Sequence, residues 1–141
     1  MIAEGQLLWQ ASEARKAGLN LTAFIGWLNA RGHGFTGYAD LHAWSIADLA
    51  GFWGAVRDYF GLIFEGEAEP VLTDAPMPRT RWLPGARLNY AEHVLRHEGS
   101  GDPGRVMLHH VSELRPMAEM SWAEVGGAVR KLASRLRAMG I

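Results

Sequence analysis

The spacing of four prolines near the middle of the chain constrains its fold more than any other feature. Pro70, Pro76, Pro78 and Pro84 fall within a stretch, residues 62–88, that shows no regular hydrophobic periodicity. Proline lacks a backbone N–H and has a fixed φ angle, so it is excluded from helix interiors and from central strands. We therefore expect an extended connector here, with regular elements before and after it.

Two short helices are predicted near the start of the chain. Ser12 is placed to cap a helix that runs to Ala17, and Asn20 to cap a second helix. Apolar residues fall on one face of the second helix, and two glycines then end it. These residues are Phe24, Trp27, Leu28, Gly32 and Gly34.

A third helix is predicted immediately before the connector. Residues 45–48 form a loose capping box, in which Asp48 replaces the usual Glu or Gln. Apolar residues follow at steps of three and four, and Gly61 lies where a C-terminal cap belongs. The apolar residues are Leu49, Phe52, Trp53, Val56 and Phe60.

The chain after the connector predicts a short helix and a hairpin. Asn89 can cap a helix with Glu92 at its third position, and the glycine-rich residues 99–104 end it. Residues 105–111 have the pattern of a strand. The pair Arg115-Pro116 is expected to break that strand before residues 117–120, and the two segments together predict a hairpin.

The last predicted element is a long amphipathic helix. Ser121 and Glu124 form a full capping box, apolar residues follow at helical spacing, and Gly140 is a natural stop. Positive charge is concentrated in the C-terminal half of this helix, where the helix dipole favours it. The basic residues are Arg130, Lys131, Arg135 and Arg137.

Composition excludes several classes of protein. The 141 residues are 48% hydrophobic and 21% charged, which is typical of a folded globular chain. The formal charge is −1, so nothing favours nucleic acid or an anionic membrane as a partner. No cysteine is present, which excludes disulfides, thiolate metal sites and cysteine nucleophiles. The acidic start, Met1 to Gly5, is unlike a signal peptide, and we expect a cytoplasmic protein.

Tryptophan is unusually frequent for a chain of this size. Each indole is large and apolar and generally needs burial, so six of them predict an aromatic core or an aromatic docking surface. The six are Trp9, Trp27, Trp44, Trp53, Trp82 and Trp122. The sequence does not decide between the two alternatives.

Two motifs could suggest ligand binding, but each has a plainer interpretation. Residues 99–104 match the GxGxxG pattern of dinucleotide sites, yet here a helix precedes and a strand follows, the reverse of the required order. His93 and His97 have the spacing of a zinc-binding pair but lack the glutamate of the metalloprotease motif. A surface loop and a solvated histidine pair are the better interpretations.

The remaining candidates also fail to form a site. His109 and His110 are adjacent on a predicted strand, so their side chains point to opposite faces. The basic helix has no interleaved aromatic residues that would read nucleic-acid bases. The sequence therefore assigns no catalytic, cofactor-binding or metal-ligating residue.

Three stretches resemble the N-terminal region of acetyl-CoA-synthetase-type adenylate-forming enzymes. The first runs from Ser45 to Trp53 and resembles a family helix that carries a Phe-Trp pair. The second, residues 81–93, is similar to the family's WFPG…LNYAEN element and is the most specific of the three. The third, residues 120–133, resembles the strand and helix that open the large adenylation domain.

Two details resemble the acetoacetate-specific branch of this family more than the acetate-specific one. They are the opening Leu8-Trp9-Gln10 and the run from Tyr38 to Ser45. The chain departs from the family pattern at Leu83, where phenylalanine is usual, and at His93, where asparagine is usual. These departures concern local packing and one helix contact.

The resemblance implies an incomplete piece of a longer enzyme. Its expected fold is an α-rich N-terminal domain over residues 1–100, running into the first hairpin and helix of an α/β adenylation domain at residues 101–141. The parent would be an acetoacetate–CoA ligase that uses ATP, Mg²⁺ and CoA through an acyl-adenylate. The segment itself would bind no cofactor and be inactive.

Two other hypotheses remain open at this point. The parent could activate another short acid, such as acetate or propionate. Alternatively, the chain could be a helical interaction module that oligomerises through its aromatic face. In the ligase hypothesis the partner is the remainder of the same chain, and the isolated piece could also self-associate.

Overall fold

The computed structural model describes residues 3–141, and the described residues form two compact units. The first unit contains the residues up to 62 together with residues 66–86. The second contains residues 63–65 and residues 87–141. The residues Met1 and Ile2, which entered the signal-peptide argument, lie outside the described part of the chain.

The first unit holds four helices and most of the connector. The helices are α1 (Glu13–Ala17), α2 (Asn20–Asn29), α3 (Tyr38–Ala47) and α4 (Leu49–Tyr59). The second unit holds α5 (Tyr90–Leu95), a 3₁₀ turn (Arg96–Gly99), strands β1 (Val106–Ser112) and β2 (Arg115–Ser121), and α6 (Trp122–Ala138). Among the described residues, no helix is both long enough and apolar enough to cross a membrane.

The first two helices are confirmed, with one correction at a cap. The Ser12 side chain accepts a hydrogen bond from the Arg15 N–H, as a cap should. The prediction that Asn20 caps α2 is wrong by one residue, because Asn20 is the first helical residue and Leu19 is the cap. Leu19 has no side-chain oxygen, and it occupies the cap position only through its extended backbone.

The predicted capping box over residues 45–48 is wrong. Ser45 belongs to the last turn of α3, and its hydroxyl donates to the His42 carbonyl at 2.8 Å. Asp48 alone caps α4, because its carboxylate accepts from the Gly51 N–H at 2.8 Å. Helix α4 itself is confirmed, and Gly61 follows it with a φ of +54°, a conformation that glycine adopts without strain.

Helix α3 had no clear signal in the sequence. It starts after Gly37 without a side-chain cap, and Leu41 is its one buried residue, so it shows little amphipathic pattern. A local hydrogen-bonded turn supports its start instead. The Asp40 carboxylate accepts from the Thr36 N–H at 2.7 Å and from its hydroxyl at 2.6 Å. These bonds favour the ionised form and hold the pKa of Asp40 below its usual value.

The core of the first unit is small and lined with aromatic rings. Phe24, Leu28 and Leu41 are buried, and Leu28 is only 1% exposed. The Phe24 ring centroid lies 4.9 Å from that of Tyr59. Partly buried apolar side chains pack against these three residues. They are Ile25, Trp27, Phe35, Trp44, Phe52, Val56 and Tyr59.

The connector forms no regular strand or helix, as its prolines predict, but it folds back on itself. Leu72 and Trp82 form an isolated antiparallel bridge. On either side, the Leu83 N–H donates to the Val71 carbonyl at 2.8 Å and the Thr73 N–H donates to the Arg81 carbonyl at 2.9 Å. Val71 is consequently held in a buried position against the first unit's helices.

The second unit contains the predicted hairpin. Strands β1 and β2 pair antiparallel with irregularities in register, and His109 lies opposite Glu119. The prediction that Arg115 and Pro116 break the strand is wrong, since both are the first residues of β2. A two-stranded ribbon leaves one edge of each strand unpaired, and proline is tolerated at such an edge.

Both helices of the second unit have the caps that the sequence predicts. The Asn89 side chain accepts from the Glu92 N–H at 3.3 Å. In α6 the full capping box is present: the Glu124 N–H donates to the Ser121 hydroxyl, and the Ser121 N–H donates to the Glu124 carboxylate at 2.8 Å. The bonds from Ser121 keep the pKa of Glu124 below its ordinary value.

Candidate functional site

The described part of the chain contains no cluster of metal-ligating side chains. Nowhere in residues 3–141 do three or more His, Asp or Glu residues converge on a position where they could hold an ion. The Mg²⁺ that the family resemblance implies is accordingly assigned to no residue of this segment.

Gly99 ends the 3₁₀ turn, and the rest of the glycine-rich residues 99–104 form a loop that leads towards β1. A helical segment therefore precedes the motif and a strand follows it, as the sequence predicts. The Gly104 N–H donates to the Asp102 carboxylate at 2.8 Å. This bond occupies an amide and places a negative charge in the loop. Both properties are unfavourable for a phosphate group.

The histidines whose spacing could suggest metal ligands have separate partners. His93 accepts from the Ile63 N–H through Nδ1 at 3.4 Å. The ring of His97 lies 5.8 Å from the ring of Trp122. On the hairpin, His109 Nδ1 lies 3.2 Å from a carboxylate oxygen of Glu119. Each of these three histidines thus has a different partner, and none belongs to a group of three or more metal-ligating side chains among residues 3–141.

One residue of the basic helix α6, Arg130, forms a bidentate salt bridge. The Arg130 guanidinium donates to the Glu98 carboxylate through two nitrogens, at 2.6 and 2.9 Å. This geometry lowers the pKa of Glu98 and raises that of Arg130, because each charge favours the other. Gly126 faces the same carboxylate, and a Cβ at this position would overlap it.

The strongest candidate for a functional surface is an apolar depression on the first unit, which we call the tryptophan groove. Its volume is about 310 Å³, and helix α4 and the folded connector form its walls. The Trp53 and Trp82 rings meet edge to face with their centroids 5.6 Å apart. The lining residues are Trp53, Val56, Arg57, Leu62, Val71, Trp82 and Leu83.

Both tryptophans of the groove remain partly open to solvent. Trp53 is 44% exposed and Trp82 is 45% exposed, although a free indole ring favours burial strongly. Leu83, beside them, is the one non-glycine residue of positive φ in the described chain, at +43°. A leucine pays a conformational penalty in this region, so the fold holds its backbone there against a local preference.

Arg57 is the single charged residue of the groove, and its charge is already neutralised. Its guanidinium lies 2.7 Å from Asp58 and 3.0 Å from Glu69, and it also donates to the Ala68 carbonyl. The side chain is 17% exposed, and the two carboxylates raise its pKa above the ordinary arginine value. Arg57 thus ties the connector to α4 and leaves the groove with an apolar character.

The sequence marks Trp53 and Trp82 as aromatic residues in need of burial, but it does not indicate that they meet. They lie 29 positions apart, and most of the chain between them is the irregular connector, so no local periodicity relates their positions. The roles of Arg57 and of the Glu98–Arg130 pair were also missed, because both depend on contacts between distant segments. Only the family resemblance drew attention to the two tryptophans, since two of its stretches contain Phe52-Trp53 and Trp82-Leu83.

Comparisons with known proteins agree with this architecture. Residues 38–94 match the family described as the acetyl-coenzyme A synthetase N-terminus. An acetoacetyl-coenzyme A synthetase of Rhizobium meliloti is 34% identical over 122 residues, which cover 86% of this chain and 18% of the relative. A malonamoyl-CoA synthetase of Penicillium aethiopicum is 30% identical and covers 96% of this chain.

The fold agrees as well as the sequence does. The solved acetoacetyl-CoA synthetase of Streptomyces lividans superposes on 96% of this chain with a TM-score of 0.81 and 42% identity. That match accounts for 21% of the Streptomyces chain. The chain therefore spans about a fifth of the length of the relatives that it matches.

Proposed function

We propose that this chain, which has the sequence and the fold of the N-terminal region of acetoacetyl-CoA synthetases, is the scaffold part of an ATP-dependent acetoacetate–CoA ligase. The observation that supports this most directly is the agreement of fold over 96% of the chain with a synthetase of that name. The hypothesis of an unrelated helical module does not account for that agreement.

In the proposed parent reaction, the acetoacetate carboxylate attacks the α-phosphorus of ATP and releases pyrophosphate. The CoA thiol then attacks the acyl-adenylate and displaces AMP. AMP leaves the acyl-adenylate far more readily than an oxide ion would leave the free carboxylate, which is why ATP is consumed. ATP, Mg²⁺ and CoA belong to the remainder of the parent, and we assign no catalytic, cofactor-binding or metal-ligating residue to this segment.

The same proposal covers the domains and the partner. The proposed domains are an N-terminal domain over residues 1–100, with its connector at 62–88, and the opening of the adenylation domain over residues 101–141. The second compact unit also takes in residues 87–100, so the proposed boundary falls inside it. The partner of the segment is the remainder of its own chain, and we place the parent in the cytoplasm. Exposed apolar side chains on both units support a covered surface, including Trp9, Leu114 and Met117.

Acetoacetate-dependent exchange between ATP and pyrophosphate tests the function. The assay compares the product of the uninterrupted gene with the 141-residue chain, using acetate and malonamate as alternative acids. We expect exchange by the long product alone, fastest with acetoacetate. Preference for acetate or malonamate would replace the proposed acid. No exchange with any short acid would contradict the ligase proposal.

A further inference from the structure

We propose that the tryptophan groove is the docking site for an apolar side-chain anchor from the part of the parent chain that follows residue 141. The inference deepens the proposed function and rests on it, because it requires the long parent chain. The two tryptophans, Leu83 and the apolar wall of α4 receive the anchor. Its chemistry is that of a leucine, isoleucine or phenylalanine carried by the adenylation domain.

The charges of the groove determine the chemistry of its occupant. Arg57 is the single charged lining residue, and Asp58 and Glu69 hold its guanidinium at 2.7 and 3.0 Å. An acidic occupant would have to compete with both carboxylates. An apolar occupant requires no countercharge and gains the burial of two half-exposed indole rings.

The shape of the groove favours a side-chain anchor over a small metabolite. Ligand sites generally enclose most of the ligand and present several polar groups that fix its orientation. Such sites usually have volumes of about 300–1,000 Å³. This groove, at about 310 Å³, is at the small end of that range, and its one charged side chain, Arg57, is already bound by carboxylates. Tryptophan and arginine around a central apolar depression are typical of the energetic centres of protein interfaces.

The length of the relatives supports this source for the anchor. The chain spans 18% of the Rhizobium relative and 21% of the Streptomyces chain, so roughly four fifths of a parent of that type follows it. A covalently attached segment has a high effective concentration at the groove. A second copy would have to bind from solution without that advantage.

Leu83 offers a sharp test because of its backbone. Asparagine tolerates positive φ better than leucine, so Leu83→Asn makes the groove polar without straining the connector. In the full parent chain we expect this variant to lower the thermal midpoint by about 2 °C or more and to raise the binding of an apolar dye severalfold. Trp82→Ala, as a second variant, should act in the same direction.

Leu83→Met is the matched control, since it retains an apolar side chain of similar volume. It should leave dye binding by the parent close to that of the wild type. Equal dye binding and equal thermal midpoints for Leu83→Asn, Trp82→Ala and Leu83→Met would overturn the proposal. Loss of a dimer on Leu83→Asn, seen by sedimentation, would also overturn it, because the occupant would then be a second copy.

Pyrophosphate exchange by the wild-type parent separates the two proposals. Exchange with no contrast between Leu83→Asn and Leu83→Met would overturn the groove inference and leave the ligase function standing. A clear contrast in a parent that exchanges no pyrophosphate would support the groove and overturn the ligase.

Discussion

Two adjacent glycines in α6, Gly126 and Gly127, have different surroundings. A Cβ at Gly126 would overlap the Glu98 carboxylate, which is bound to Arg130, whereas a Cβ at Gly127 would meet nothing within 4 Å. The absence of a side chain therefore matters at only one of the two positions. Gly126 leaves space for the salt bridge between Glu98 and Arg130, and Gly127 has no such contact.

This difference predicts opposite outcomes for one substitution. Gly127→Ala should raise the free energy of unfolding by about 0.5–1 kcal/mol, because alanine has the higher helix propensity. Gly126→Ala should give no gain, since its new methyl group displaces Glu98 and breaks the bond to Arg130. Urea unfolding of both variants, followed by circular dichroism, measures this. Equal stabilisation by both would show that the Glu98 contact does not constrain α6.

At the scale of single elements, residues 45–48 offer two candidates for the cap of α4, Ser45 and Asp48. The sequence suggested a box opened by Ser45, but the structure gives the cap to Asp48. Asp48→Ala should therefore lower the free energy of unfolding by about 1 kcal/mol, the usual cost of a lost N-cap. Ser45→Ala should stay within about 0.5 kcal/mol of the wild type.

The same unfolding experiment compares these two variants directly. If Ser45→Ala proved to be the more destabilising, the assignment of the cap to Asp48 would be wrong. The two side chains lie only three residues apart, so each variant is a close control for the other. Ser45 loses one bond, to the His42 carbonyl, within a helix that already has its backbone bonds.

Elements with a strong local signal were predictable from sequence. The full box at Ser121 and Glu124 and the cap at Asn89 each require only four neighbouring residues, and both are present. Helix α3 was missed because its start depends on the bond between Thr36 and Asp40, which no standard cap pattern includes. The sequence predicts a break at Pro116, and this is wrong because proline is tolerated at an unpaired edge of the hairpin, which the local sequence does not reveal.

The candidate site was less predictable than the helices. Its two tryptophans were identified as aromatic residues in need of burial, but their meeting at 5.6 Å depends on how the connector folds back. That path is fixed by the Leu72–Trp82 bridge and by the bonds of Arg57. These are long-range contacts, and sequence periodicity reports only on local ones.

At the scale of the whole molecule, the small core and the exposed aromatic surface have the same explanation, which is that another part of the protein covers this segment. The buried apolar residues of the described chain are few: Phe24, Leu28, Leu41 and Val71. Many large apolar side chains are instead exposed, including those at the tryptophan groove and on the hairpin. A surface of this kind is typical of a segment that is covered by another part of its protein.

The most direct test of a covered aromatic surface is the binding of an apolar fluorescent dye. It compares the 141-residue chain with the product of its uninterrupted gene. Both are measured at the same molar concentration, so that a difference reports exposed apolar surface per molecule. We expect much stronger binding by the 141-residue chain, because in the proposed parent the aromatic surface is covered. Equal binding by the two would contradict the docked scaffold.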